Sequence, residues 1–159
     1  MLTLALMLIA AEPLARPMTV EVRQDPINDA IRASAILRDD GNRLDVTCET
    51  IGNEPRISFH SRLWLGRGHF LSGRRRITYR FDREAPRRSW WDIEDRRATL
   101  TNDVRVNNFI QGLYTAERLV IRGRDVENRP FNAIFRVTDA RPAIERALAA
   151  CGRDSDGTG

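Results

Sequence analysis

From Thr19 to Leu100 the apolar residues fall mostly at every second position, and the period changes to helical three-and-four spacing in only two stretches of the chain. Val20 with Val22, Ala33 with Ala35 and Leu37, Leu44 with Val46 and Cys48, and Ile77 with Tyr79 and Phe81 each form one face of an extended segment. Side chains alternate across a strand, so this period predicts half-buried strands with one face on a core and one on solvent. The segments so predicted include Thr19 to Arg23, Ile31 to Arg38, Leu44 to Thr50 and Arg75 to Phe81. Ile57 to Phe59, Leu63 to Leu65, Trp90 to Ile93, Ala98 to Leu100, Leu119 to Ile121 and Ala133 to Val137 read as extended too.

Turn chemistry separates them. Asp39-Asp40-Gly41-Asn42 is a hairpin connection. Asp25 to Asp29, Asn53 to Pro55, the stretch around Pro86, and Asp125 to Pro130 break the extended runs, and Gly66, Gly68 and Gly73 mark a loop tip. Val106, Phe109, Ile110 and Leu113 lie on one face of a helix over Asp103 to Thr115, with Thr101, Asn102 or Asp103 as its N-cap. A second helix, Ala143 to Cys151, places Ile144, Ala147, Leu148 and Cys151 on one side. Short connections between consecutive strands favour antiparallel pairing. The expected fold is therefore α+β: a mainly antiparallel sheet with two helices. A chain of 159 residues suits one hydrophobic core, which we place at residues 18–152, with a polar, disordered tail at 153–159.

Leu2 to Ala11 is the one long apolar run, about half the ~20 residues a membrane-spanning helix needs. With small residues at Ala10, Ala11 and Ala15 it reads as the core of a signal peptide over residues 1–15, directing the chain to the periplasm or outside the cell. No Lys or Arg precedes the run, and Glu12 and Pro13 interrupt the cleavage region. A first buried strand, or a start codon assigned a few residues late, are the other readings. Cys48 and Cys151 stand 103 positions apart, which fits neither metal nor redox spacing, whereas an even pair in an exported chain suits one disulfide. Both face the expected core, so a bridge would tie the last helix to a strand; two buried thiols are the alternative.

Several of these segments resemble the VasI-like family of small exported proteins associated with type VI secretion. The resemblance lies in Leu44-Asp45-Val46-Thr47-Cys48, Ile77-Thr78-Tyr79-Arg80-Phe81-Asp82, Trp90-Trp91, Phe109 with Leu113, Leu119-Val120-Ile121-Arg122, Phe131 to Phe135, and Ala143 to Cys151. It covers roughly residues 19 to 151 and implies the same Cys48–Cys151 bridge and an accessory role in a secretion system, without implying any chemistry. Met18-Thr19-Val20 stands where such proteins often carry an aromatic residue, and Thr138-Asp139 replaces their usual glycine after the last strand.

Catalytic signatures are weak. His60 and His69 flank a glycine-rich loop without a zinc spacing, so no metal or other cofactor is expected. No serine occupies a nucleophile elbow, and Gly66-Arg67-Gly68 with Arg74 to Arg76 lacks the Lys-Ser/Thr of a phosphate loop. Asp92, Glu94 and Asp95 are interleaved with arginines, which reads as ion pairing on a solvated face. All 26 basic residues are arginine, a bias that GC-rich coding explains more economically than selection for guanidinium chemistry; the net charge is only +4.

The sharpest binding feature is the run of Arg67, Arg74, Arg75, Arg76, Arg80, Arg83, Arg87 and Arg88 accompanied by Trp64, Trp90 and Trp91. Arginine beside exposed aromatics suits anions and protein partners. We take Arg74, Arg75, Arg76, Trp90 and Trp91 as the candidate contacts of an exported, non-enzymatic binding or accessory domain. Its expected partner is an envelope or secretion-apparatus protein, or an anionic cell-wall ligand. An envelope hydrolase or its inhibitor is the second reading. An anion- or nucleic-acid-binding protein is the third, with nucleic acid disfavoured by export and modest charge.

Overall fold

A computed structural model describes residues 16–52, 54–67 and 73–152. The expected signal segment, Gly68, His69 and the tail at 153–159 lie outside them.

Among the described residues ten strands form one antiparallel sheet. They are β1 (Thr19–Gln24), β2 (Ile31–Asp39), β3 (Asn42–Glu49), β4 (Arg56–His60), β5 (Gly66–Arg67), β6 (Arg74–Phe81), β7 (Arg87–Asp95), β8 (Arg97–Leu100), β9 (Arg118–Arg124) and β10 (Pro130–Arg136). Helix α1 (Asp103–Thr115) connects β8 to β9, and α2 (Ala140–Ala150) follows β10. The order across the sheet is β1-β2-β3-β4-β8-β7-β6-β9-β10, with the short β5 pairing β7 beside β6. The expected architecture holds in its coarse form, with the sheet dominating. Leu63 to Leu65, expected to be extended, lies outside any strand, and the pairing there begins at Gly66.

Aspartate and glycine make the corners. Asp40 and Gly41 both have positive φ (45° and 74°), the backbone of a type I′ hairpin, and join β2 to β3. Asp82, also at positive φ, accepts from the backbone N–H groups of Glu117 and Arg118, so the end of β6 is pinned to the start of β9. Asn102 caps α1 by accepting from Arg105 N–H at 3.2 Å. Asp139 precedes α2 in the left-handed conformation and makes no side-chain cap; α2 starts at Ala140, earlier than the apolar periodicity suggests.

The sheet curls until its far strands meet. Phe59 on β4 stands 6.2 Å, centroid to centroid, from both Phe131 and Phe135 on β10. The Arg136 guanidinium closes the rim onto the Asp39 carboxylate at the end of β2, which holds that carboxyl below the ordinary aspartate range. Both helices fill the concave side. Phe109 of α1 packs against Tyr79, Phe81 and Trp91, and α2 covers β1, β2 and β3. Cys48 on β3 is bonded to Cys151 at the C-terminal end of α2, with both sulfurs buried. Among the described residues no helix is long and apolar enough to cross a membrane.

Candidate functional site

The hairpin strands β6 and β7, together with the more distant β9, build an arginine-lined groove. Along β6, Ile77, Tyr79 and Phe81 point into the core, so Arg74, Arg76 and Thr78 point outward. On β7 the buried phase is Ser89, Trp91 and Ile93, which places Arg88, Trp90 and Asp92 on the outer face. On β9, Leu119 and Ile121 are buried, and Arg122 and Arg124 lie outward.

The β6–β9 ladder runs from Phe81↔Leu119 only as far as Thr78↔Arg122, although both strands continue past that point. The strands part there. Their separated ends form a groove of about 850 Å³ lined by Arg74, Arg75, Arg76, Arg88, Arg122 and Arg124 with Trp90, Thr78 and Asn128, over a floor that includes Ile77 and Gly123. Gly123 permits that floor: a Cβ at this position would lie 2.8 Å from the Phe131 ring and 3.3 Å from Ile77 Cδ1. No described carboxylate lines the groove.

Each arginine is held differently. Arg76 lies over the half-exposed Trp90 ring, with its guanidinium carbon 5.2 Å from the ring centroid, an exposed cation–π contact of about 0.5–1 kcal/mol. Arg74 Nε donates to Asp92 Oδ1 at 2.9 Å, Arg122 Nε to Asn132 Oδ1 at 2.8 Å, and Arg124 Nη1 to the Asn128 carbonyl at 2.7 Å. No described acid pairs with Arg76 or Arg88 within 4.0 Å. An anionic ligand would therefore meet Arg122 and Arg124 oriented by neutral partners, Arg76 held on an aromatic face, and Arg74 already paired with the Asp92 carboxylate.

Two of the expected contacts take other roles. Trp91 is wholly buried against Phe109 and belongs to the core, because it shares the inward phase of Ile93. Arg75 shares the inward phase of Ile77 and sits at the end of the strand, where its guanidinium donates to three backbone carbonyls. These are Arg124 at 3.3 Å, Asp125 at 3.2 Å and Arg67 at 3.4 Å, so Arg75 staples the parted strands from beneath. Arg74, Arg76 and Trp90 do come together. Arg122 and Arg124 join them, and a sequence reading centred on residues 64 to 91 missed both.

The remaining candidates disperse. Arg87 pairs with Glu84, and Trp64 lies apart from the groove, its carbonyl accepting from Val126 N–H. Asp92 and Glu94 are ion-paired with Arg74 and Arg97, the solvated-face arrangement expected of them. His60 Nε2 lies 3.2 Å from Asp45 Oδ2, which Arg43 also binds, and among the described residues no serine hydroxyl bonds to His60. No described group of three or more His, Cys, Asp or Glu side chains is arranged to hold a metal ion.

The class that fold and groove define is a disulfide-clipped antiparallel half-barrel with an arginine-lined outer cleft. Neither a protein-family model nor any curated protein or solved structure matches the chain.

Proposed function

We propose that this protein is an exported binding module, without catalytic activity of its own, whose working surface is the β6–β7–β9 groove and whose ligand is an anionic component of the cell envelope. What carries the reading is the lining: five outward-facing arginines and one exposed tryptophan converge on a single cleft, and no described carboxylate is among its lining residues. Guanidinium forks bind carboxylates and phosphates bidentately, and a half-exposed indole adds a stacking or sugar-packing surface. The buried disulfide suits an oxidising compartment, so the periplasm or the exterior is where the module acts. The secretion-associated resemblance suggests that the anion belongs to an envelope or secretion-apparatus protein, and a carboxylate-bearing wall fragment presents the same chemistry.

Titration calorimetry against a muropeptide carrying free carboxylates, and separately against an acidic polypeptide, tests the reading. Wild type is expected to bind one of them with salt-sensitive affinity, and Arg76→Ala/Arg88→Ala to lose about tenfold or more per arginine. Trp90→Ala should weaken binding further while the fold is retained. Equal binding by wild type and variants, or no binding of either anion, would refute it.

A further inference from the structure

Among the described residues the outer edge of the first strand has no strand partner. In an antiparallel strand the N–H and C=O of one residue point to the same side, and successive residues alternate. Asp25 N–H donates to Ala30 at the β2 side, whereas Met18 N–H donates to the Thr138 carbonyl away from β2. Thr19, Glu21 and Arg23 therefore face β2, while the main-chain groups of Val20, Val22 and Gln24 face outward. Thr138 covers this edge at Met18, and the Asp25–Ala30 turn ends the strand at the other side. The open stretch is thus Val20 to Gln24, with Val22 at its centre and 55% exposed.

We infer that this edge pairs with the same edge of a second copy, antiparallel and centred on Val22. The charges select that register. With Val22 opposite its own symmetry mate, Glu21 of each copy faces Arg23 of the other on the outer face of the sheet. A register centred on Glu21 or on Arg23 would set like charges opposite each other, and like charges directly opposed destabilise a sheet. The same register aligns the outward main-chain groups, pairing Val20 with Gln24 of the other copy and Val22 with Val22. Each such pair exchanges two main-chain hydrogen bonds. The two copies are related by a two-fold axis, so one self-complementary surface suffices, and the pairing leaves the groove on β6, β7 and β9 untouched.

Sedimentation velocity over a concentration series tests it. Wild type is expected to shift from single-chain to two-chain mass as concentration rises. Val22→Pro removes only an outward N–H, and proline is tolerated on a strand edge, so the circular dichroism should stay unchanged while the two-chain species is lost. Glu21→Arg and Arg23→Glu each place like charges across the axis and should each sediment as single chains. Mixed in equal amounts they should restore the two-chain mass, because each then carries the charge the other needs. That mixing result decides the matter even if Val22→Pro fails to fold. Wild type that stays single-chain at every concentration, a two-chain species that survives both charge variants, or variants that mixing does not rescue would each overturn the inference.

Discussion

Cutting the Cys48–Cys151 bridge should cost this protein much of its stability, and the structure separates two contributions. The first is the cross-link itself. It joins residues 103 apart; with an entropy of −2.1 − 1.5R ln n cal/mol/K and n = 103, the constraint on the unfolded chain is about 16 cal/mol/K, or about 4.7 kcal/mol at 25 °C. The second is packing, because both cysteine side chains are buried between β3 and α2. Reduction removes the link and keeps the sulfur atoms. Cys48→Ala/Cys151→Ala removes both, and the lost burial adds about 1 kcal/mol per side chain. We expect urea unfolding, followed by tryptophan fluorescence, to show reduced wild type about 4–5 kcal/mol less stable than oxidised protein. The double alanine variant should fall about 1–2 kcal/mol lower still. At about 2–4 °C per kcal/mol for a chain of this size, reduction should lower Tm by roughly 10–20 °C. The denaturant dependence should steepen, since the unlinked unfolded chain exposes more surface. A reduced protein within about 1 kcal/mol of the oxidised form, with an unchanged slope, would refute this account, whose magnitude rests on the unfolded-chain entropy model.

Three further perturbations test the rest of the fold. Arg75→Ala should lower stability by about 1–3 kcal/mol, by removing the donor to three carbonyls, whereas Arg76→Ala and Arg88→Ala should leave thermal melts nearly unchanged; similar melts for all three would remove the distinction between staple and contact. Gly112→Ala gains about 1 kcal/mol of helix propensity, yet its Cβ would sit 2.6 Å from Phe81 Cδ2 in a ring locked against Tyr79 and Phe109, so the melt should fall rather than rise. Asp39 is held below its ordinary pKa of 3.8, first by the side-chain hydrogen bond from Arg136, so its contribution is full above that value and is lost as pH falls through the folded-state value. Stability measured from pH 6 down to pH 2 should therefore fall more steeply for wild type than for Asp39→Asn, and parallel curves would contradict the rim closure.

Alternation in the sequence tells which way a side chain points and says nothing about which strand lies beside it. That division explains what could be read and what could not. The Asp40-Gly41 hairpin, α1 with its cap narrowed to Thr101, Asn102 or Asp103, and the inward facing of Cys48 all depend on neighbours close in the chain, and each was legible. Trp91 and Arg75 were legible too, since each lies two residues from an inward isoleucine, Ile93 and Ile77; treating Trp90-Trp91 and Arg74 to Arg76 as contiguous patches discarded that phase. The groove itself was hidden, because β6 meets β9 across an intervening hairpin and a whole helix, and only that pairing brings Arg122 and Arg124 to Arg76. A cleft built from alternate positions of separate strands has no contiguous motif. It is therefore sensitive to register: one residue inserted between Ile121 and Arg122 would exchange the faces of everything after it on β9. Arg122 and Arg124 would turn inward together, so such an insertion should abolish anion binding more completely than Arg122→Ala or Arg124→Ala alone, with calorimetry on folded variants as the measure. Comparable losses from all three would mean that β9 contributes charge to the groove without contributing its geometry.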